Sequence, residues 1–327
     1  MSKNNFLLNI LKLSSAPLIT QILSFFLLPL ITRLYSPYEF GILNLYNSLV
    51  GVFAVFCGMG YHQAIVLPKK NIDAFILFLI TILLTISLSF LLLMATYLVP
   101  EHVYEIFKIN DLFDYRYYVF LGILLHGFYV TFLGWHIRFS NFGLISFSRV
   151  LRVFSNKLFI IVVGLASYAY AENLIIGEIL GTIFVCLIMI IYSDIYKYFD
   201  FNFKVFKKES LRLIKSYKQF PIFSVSNDFL YRFKVALIFF LITYFFSLEL
   251  VGNYGIALMI LSIPTTLLGS SISEVFYKRI SIENDNNKIG ILSLRLFKIL
   301  CFSSFYLFTF LAFFSPEILP FFLGEKW

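Results

Sequence analysis

Charge is what this chain has least of. Asp, Glu, Lys and Arg make up 13% of its 327 residues, hydrophobic residues 60%, and the mean hydropathy is +0.87, against about 25% charged and 45–50% apolar in ordinary soluble domains. A water-soluble fold is excluded. Cysteine is nearly absent: Cys57, Cys186 and Cys301 lie inside apolar runs without ligand or redox spacing, so they read as small core hydrophobes and imply no disulfide. His62, His102, His126 and His136 form no His-x-x-x-His or His–acid ligand pair, so no metal site is expected. The G-x-x-x-x-G-K-[ST] loop of an ATPase is missing, and no cofactor is implied. The net charge of +8 comes without a basic block interleaved with aromatics outside the loops, which argues against nucleic acid as a partner. The first apolar run continues to Leu34 without a small-residue cleavage site and reads as a span, not a removed signal.

Long apolar runs are what the chain does have. A bilayer core about 30 Å thick needs about 20 apolar residues per helix, and nine such runs can be read: Leu11 to Leu34, Phe40 to Gly58, Ile72 to Val99, Tyr115 to Trp135, Val150 to Tyr168, Asn173 to Ile195, Phe220 to Phe246, Val251 to Phe276 and Leu292 to Phe314. The expectation is an all-α polytopic membrane protein. With the N-terminus cytoplasmic, 20 of the 26 Lys and Arg fall on the cytoplasmic side and four on the other, with Arg232 and Lys234 inside the seventh span; basic loops are retained inside. The longest loop, Tyr196 to Gln219, places Lys207, Lys208, Arg212, Lys215 and Lys218 among Leu211, Ile214 and Tyr217 and reads as an amphipathic helix lying on anionic membrane lipid.

The chain repeats itself at an offset of 211. Thr32, Ser36 and Gly41 recur as Thr243, Ser247 and Gly252, Gly58 recurs as Gly269, and the basic pairs Lys69–Lys70 and Lys278–Arg279 follow the two copies. Six helices separate the copies, which makes the repeat parallel, an arrangement common in secondary transporters. It divides the chain into a six-helix half over 1–195, a linker over 196–219 and a second half over 220–327 with three helices. A second half equal to the first requires about three helices more.

Charged groups inside spans cost roughly 2.5–3.5 kcal/mol each on insertion scales and tend to face a cavity or a partner. The seventh span holds Asp228, Arg232 and Lys234, with Asp228 and Arg232 four apart on one face, where they can pair. Arg232 corresponds through the repeat to Gln21, part of a polar stripe of Ser14, Pro17, Gln21 and Ser24. A cationic cavity between the halves is the functional reading, suited to a pyrophosphate because Arg forks onto phosphate oxygens; an internal ion pair fixing helix packing is the structural one. Arg149 and Arg152 share a face with Ser148, Ser155 and Asn156 near the cytoplasmic end of the fifth span, either snorkelling to lipid phosphates or lining the mouth of the cavity. Glu178 and Glu274 are single acids with no partner evident in sequence.

Three stretches resemble the polysaccharide-type flippases of the multidrug, oligosaccharidyl-lipid and polysaccharide exporter superfamily: TRLYSPYEFG at Thr32 to Gly41 with AIVLPKKN at Ala64 to Asn71, YKQFPIFSVSN at Tyr217 to Asn227, and VGNYGIALMILSIPTTLLGSSISEVFYK at Val251 to Lys278. The resemblance implies a multidrug-exporter-like (MATE-like) bundle of two pseudo-symmetric halves with twelve or more helices, about nine of them present here. It implies transport of undecaprenyl-pyrophosphate-linked oligosaccharide across the bacterial inner membrane for O-antigen or capsule, beside a polysaccharide polymerase and chain-length proteins. Family cavities use inward-facing Arg and Lys, which carries over to Arg232 and, less directly, to Arg149 and Arg152. Segment Ser315 to Trp327 is similar to the family's outer segment after the ninth helix, which leads into further helices, so the resemblance describes a chain shortened at its C-terminus.

Two alternatives remain. A multidrug exporter of the same superfamily would extrude amphipathic cations through a buried carboxylate such as Asp228, against the basic balance of the spans. A membrane glycosyltransferase or polymerase would need acids on a sizeable outer loop, and the largest, Pro100 to Asp114, offers Glu101, Glu105, Asp111 and Asp114 in a short segment.

Overall fold

The computed structural model describes residues 3–100, 102, 105, 111–166, 169–198, 203–263 and 286–327, and among these it is all helix and loop. The long elements are α1 (Lys3–Leu34), α2 (Pro37–Ala54), α3 (Asn71–Leu98), α4 (Arg116–Arg138), α5 (Phe142–Leu165), α6 (Ala171–Ile191), α7 (Phe203–Ser216), α8 (Val225–Phe245), α9 (Leu248–Ile263) and α10 (Asn286–Leu323). Among the described residues, five helices are long and apolar enough to cross a membrane, and six if α2 with the bent segment Cys57–Ala64 counts as one span. Helices α5 and α8 each carry three charged residues, and the described part of α9 is short. Over its described residues each expected apolar run is largely helical, while fewer meet a strict span criterion. Gly269, Glu274, Lys278 and Arg279 lie outside the described residues.

One boundary needs correction. The fifth span, expected from Val150, begins at Phe142, so Arg149, Arg152 and Asn156 sit within the helix and not at its start. At 1.5 Å per residue, Arg152 stands about 15 Å along α5.

Helix α2 is the centre of the bundle. It packs on α4, α6 and α8, while α1 packs on α5, α5 on α6, α6 on α4 and α4 on α3. The amphipathic α7 turns Leu213 and Ile214 onto the cluster built by Phe75, Phe78, Phe132 and Trp135, and Arg212 pairs with Asp73 at 3.1 Å. Its apolar face is thus spent largely on protein, with Leu211 left exposed.

The α1–α2 and α8–α9 corners are built alike. Thr32 Oγ1 donates to Leu28 O (3.0 Å), and Thr243 Oγ1 donates to Phe239 O (2.9 Å). Ser36 caps α2 in a capping box with Glu39, whose carboxylate accepts the Ser36 N–H at 2.7 Å. Ser247 accepts the Leu250 N–H at 3.3 Å. Each of these second-corner positions is the first-corner position shifted by 211, with Phe239 in place of Leu28 and Leu250 in place of Glu39.

The two corners also grip each other. A Cβ on Gly41 would stand 2.1 Å from the Leu248 carbonyl oxygen, and a Cβ on Gly252 would stand 1.9 Å from the Pro37 carbonyl oxygen. The shift exchanges these contacts, since Gly41 and Gly252 are equivalent and so are Pro37 and Leu248. Equivalent residues Asn44 and Gly255 face each other, with Asn44 Nδ2 2.0 Å from where a Gly255 Cβ would sit. Reciprocal contacts of this kind are the signature of a two-fold relation, and small residues let helix backbones approach this closely in membranes. Trp327 closes the first corner, donating from Nε1 to Thr32 O (2.9 Å) and lying edge-on to Phe40.

Past α2 the chain turns through a left-handed run, Gly58 (φ 68°), Met59 (φ 47°) and Gly60 (φ 72°), which bends the path by 59°. Glycine is needed at Gly58 and Gly60, because side chains rarely tolerate positive φ.

Substituting Gly41→Ala or Gly252→Ala should lower stability by about 1–3 kcal/mol through overpacking, read as an earlier thermal transition of the detergent-purified protein. Gly143→Ala, on α5 with nothing within 4 Å of its added Cβ, should be neutral or slightly stabilising, as helix propensity favours Ala by about 1 kcal/mol.

Candidate functional site

A cavity of about 330 Å³ opens between α2, α4, α5, α6 and α8, lined among others by Asn47, Gly51, His126, Arg152, Glu178, Thr182 and Arg232. A second of about 350 Å³ adjoins it, sharing Gly51, His126 and Arg232 and adding His62, Asp228 and Tyr231. Together they reach the roughly 300–1,000 Å³ of small-molecule sites.

Arg232 reaches the cavity from α8 by lying along α2, where a Cβ on Gly51 would be 3.7 Å from both its Cδ and Nη1. Arg152 comes from α5, its guanidinium 5.1 Å from the Tyr129 ring centroid on α4, a cation–π contact that steadies a charge away from water. Among the described residues neither arginine has a carboxylate partner within 4.0 Å. The Asp228–Arg232 pair that the four-residue spacing allows does not form. Asp228 instead lines the adjoining cleft with His62 and His126, and the His62 Nδ1 atom is buried without a hydrogen-bond partner.

The remaining expected residues lie elsewhere. Lys234 is exposed, with its ammonium 5.1 Å from the Tyr231 ring. Arg149 is half-buried on α5 and lines neither cavity. Gln21 lines a separate cleft with Pro17, Thr20, Ser24, Val153, Met259, Ser262 and Ile263. That cleft is the repeat counterpart of the Asp228 cleft, since the 211 shift takes Pro17, Thr20 and Gln21 to Asp228, Tyr231 and Arg232, and Gly51 to Ser262. One cleft carries charge and the other carries neutral polar groups.

Glu178, His126, His62 and Asn47 are the cavity residues that sequence reading passed over. No spacing marks them, because they come from α2, α4, α6 and, for His62, the bent segment Cys57–Ala64. Glu178 had one signal, an acid alone in an apolar run.

Membrane-length helices around a basic cavity of small-molecule size fit a multi-pass helical membrane protein. Residues 30–327 match the polysaccharide biosynthesis protein family, and the chain belongs to that family, within the exporter superfamily that the three motifs resemble. No curated protein and no solved structure matches the chain significantly.

Asn47→Cys and Thr182→Cys, in a Cys301→Ser background that removes the exposed native thiol, should react with water-soluble methanethiosulfonates. The anionic sulfonatoethyl reagent should react faster than the cationic trimethylammonioethyl one, because a cationic cavity concentrates anions. Equal rates, corrected for intrinsic reactivity, would mean the arginines do not set the potential there.

Proposed function

We propose that the chain is a flippase for undecaprenyl-pyrophosphate-linked oligosaccharide repeat units, moving them from the cytoplasmic to the periplasmic leaflet of the bacterial inner membrane for surface polysaccharide such as O-antigen or capsule. The observation that carries this reading is the convergence of Arg152 and Arg232, from helices far apart in sequence, on one cavity, with no carboxylate bound to either among the described residues. Two guanidinium forks with no carboxylate partner among the described residues suit a pyrophosphate, which offers paired oxygens to each. Membership of the polysaccharide biosynthesis family supplies the glycan side of the reading.

In this reading the helices form nine crossings with the N-terminus in the cytoplasm, and residues 1–195 and 220–327 form two halves joined by 196–219. The reciprocal glycine contacts support the division. The halves rock about their common corner, exposing the cavity first to one leaflet and then to the other. The pyrophosphate sits on the arginines, the glycan extends into water, and the polyprenyl tail stays in lipid. A polysaccharide polymerase and chain-length proteins take the product.

Deleting the gene in a strain without a paralogue should abolish surface polysaccharide and accumulate lipid-linked repeat units on the inner leaflet. Complementation with Arg232→Gln or Arg152→Gln should restore less than about a tenth of the wild-type polymer, since losing a charged phosphate contact costs about 1.5–3 kcal/mol. Arg232→Lys, which keeps the charge but loses the fork, should fall between. Normal polymer in the deletion strain would overturn the proposal.

A further inference from the structure

Arg152, Lys157 and Arg232 bring three cations to α5 and α8, and the acid placed among them is Glu178 on α6. Its position follows from helix packing. A Cβ on Gly181 would be 2.9 Å from the Arg152 carbonyl oxygen and 3.2 Å from the Asn156 Cβ, and one on Gly177 would be 2.7 Å from Ile160 Cγ1. These glycines press α6 onto α5, so Glu178, between them, is held level with the arginine-bearing face. It lines the same cavity as Arg152 and Arg232 and lies close enough to Lys157 and Tyr46 to interact with both electrostatically. Yet it forms no ion pair within 4.0 Å among the described residues. The carboxylate stands in the field of several cations and is committed to none.

We propose that Glu178 is the resident counter-anion of the cavity, balancing the arginines when the site is empty and competing with a diphosphate ligand for them. The inference rests on the anion-binding reading of the cavity and adds what opposes that binding. Unbalanced cations within a bilayer are costly, so an empty carrier with Arg152, Lys157 and Arg232 alone would be held in whichever state water reached best. An internal carboxylate lowers that cost. The same charge repels the incoming phosphates, which keeps binding loose enough for release. Asp228, the other acid nearby, lines the adjoining cleft with His62, His126 and Arg232 and does not line the cavity that holds Arg152.

The test compares full-length wild type, Glu178→Gln and Glu178→Ala in detergent, titrated with inorganic pyrophosphate by calorimetry, with melting followed with and without the ligand. Removing the carboxylate should tighten pyrophosphate binding on the order of tenfold. It should also lower the melting temperature of the empty protein and enlarge the rise on adding pyrophosphate. A residue that only braces α6 against α5 would lower stability and affinity together, so tighter binding with lower empty-state stability is the signature, and the Ala variant gives the same direction if Gln disturbs packing. Farnesyl pyrophosphate run alongside separates a lipid-borne headgroup from the free ion, and the Glu178 effect is expected on both. Binding by wild type that is unchanged or weakened in both variants would overturn the role of Glu178 and leave the anion site standing. Absence of binding in wild type and both variants would overturn the anion site and this inference with it.

Discussion

Two pairs of backbones touch where side chains would normally keep them apart, and much of the bundle is hung on that contact. Gly41 lies against the Leu248 carbonyl and Gly252 against the Pro37 carbonyl, so α2 and α9 cross at a distance only glycine permits. In a membrane there is little hydrophobic gain from joining two helices, because lipid is as apolar as Leu; close packing must supply the affinity. The approach therefore fixes the height and tilt of α2, and α2 carries Asn47 and Gly51 to the cavity. The threonine and serine bonds at each corner hold the helix ends so that the glycines meet in register.

The cavity obeys a second constraint, the cost of charge away from water. Arg152 meets it with the Tyr129 ring and Arg232 by lying on Gly51 with its head toward the open space. Among the described residues neither solution uses a direct ion pair, which would have quenched the field at the site. With no Asp228–Arg232 bond among the described residues, the cavity stays incompletely neutralised.

The sequence carried the helices well, because a span's apolar length is a local property, and it carried the corner through Thr32, Ser36, Gly41 and their copies. It placed Arg232 and Arg152 among the residues to watch, since a charge inside an apolar run is conspicuous wherever the helix turns. It started α5 about two turns late, because polar residues on one face were taken as the end of the span and not as its interior. It could not place Gln21 in a cleft apart from Arg232, since equal depth along two helices says nothing about which neighbours they face. His62, His126 and Glu178 were illegible as a group, because their meeting depends on how α2, α4, α6 and α8 stack.

The corner and the two clefts set different rules for divergence after duplication. At the corner each copy supplies both the hollow and the carbonyl that fills it, so a change in one copy is felt at once by the other, and the pair must drift together or not at all. The clefts are not bound in this way. Gln21 and Arg232, Pro17 and Asp228 occupy equivalent places but touch different neighbours, so one copy could acquire charge while its twin remained neutral. A repeat of this kind keeps its corner symmetrical while its two clefts come to differ in charge.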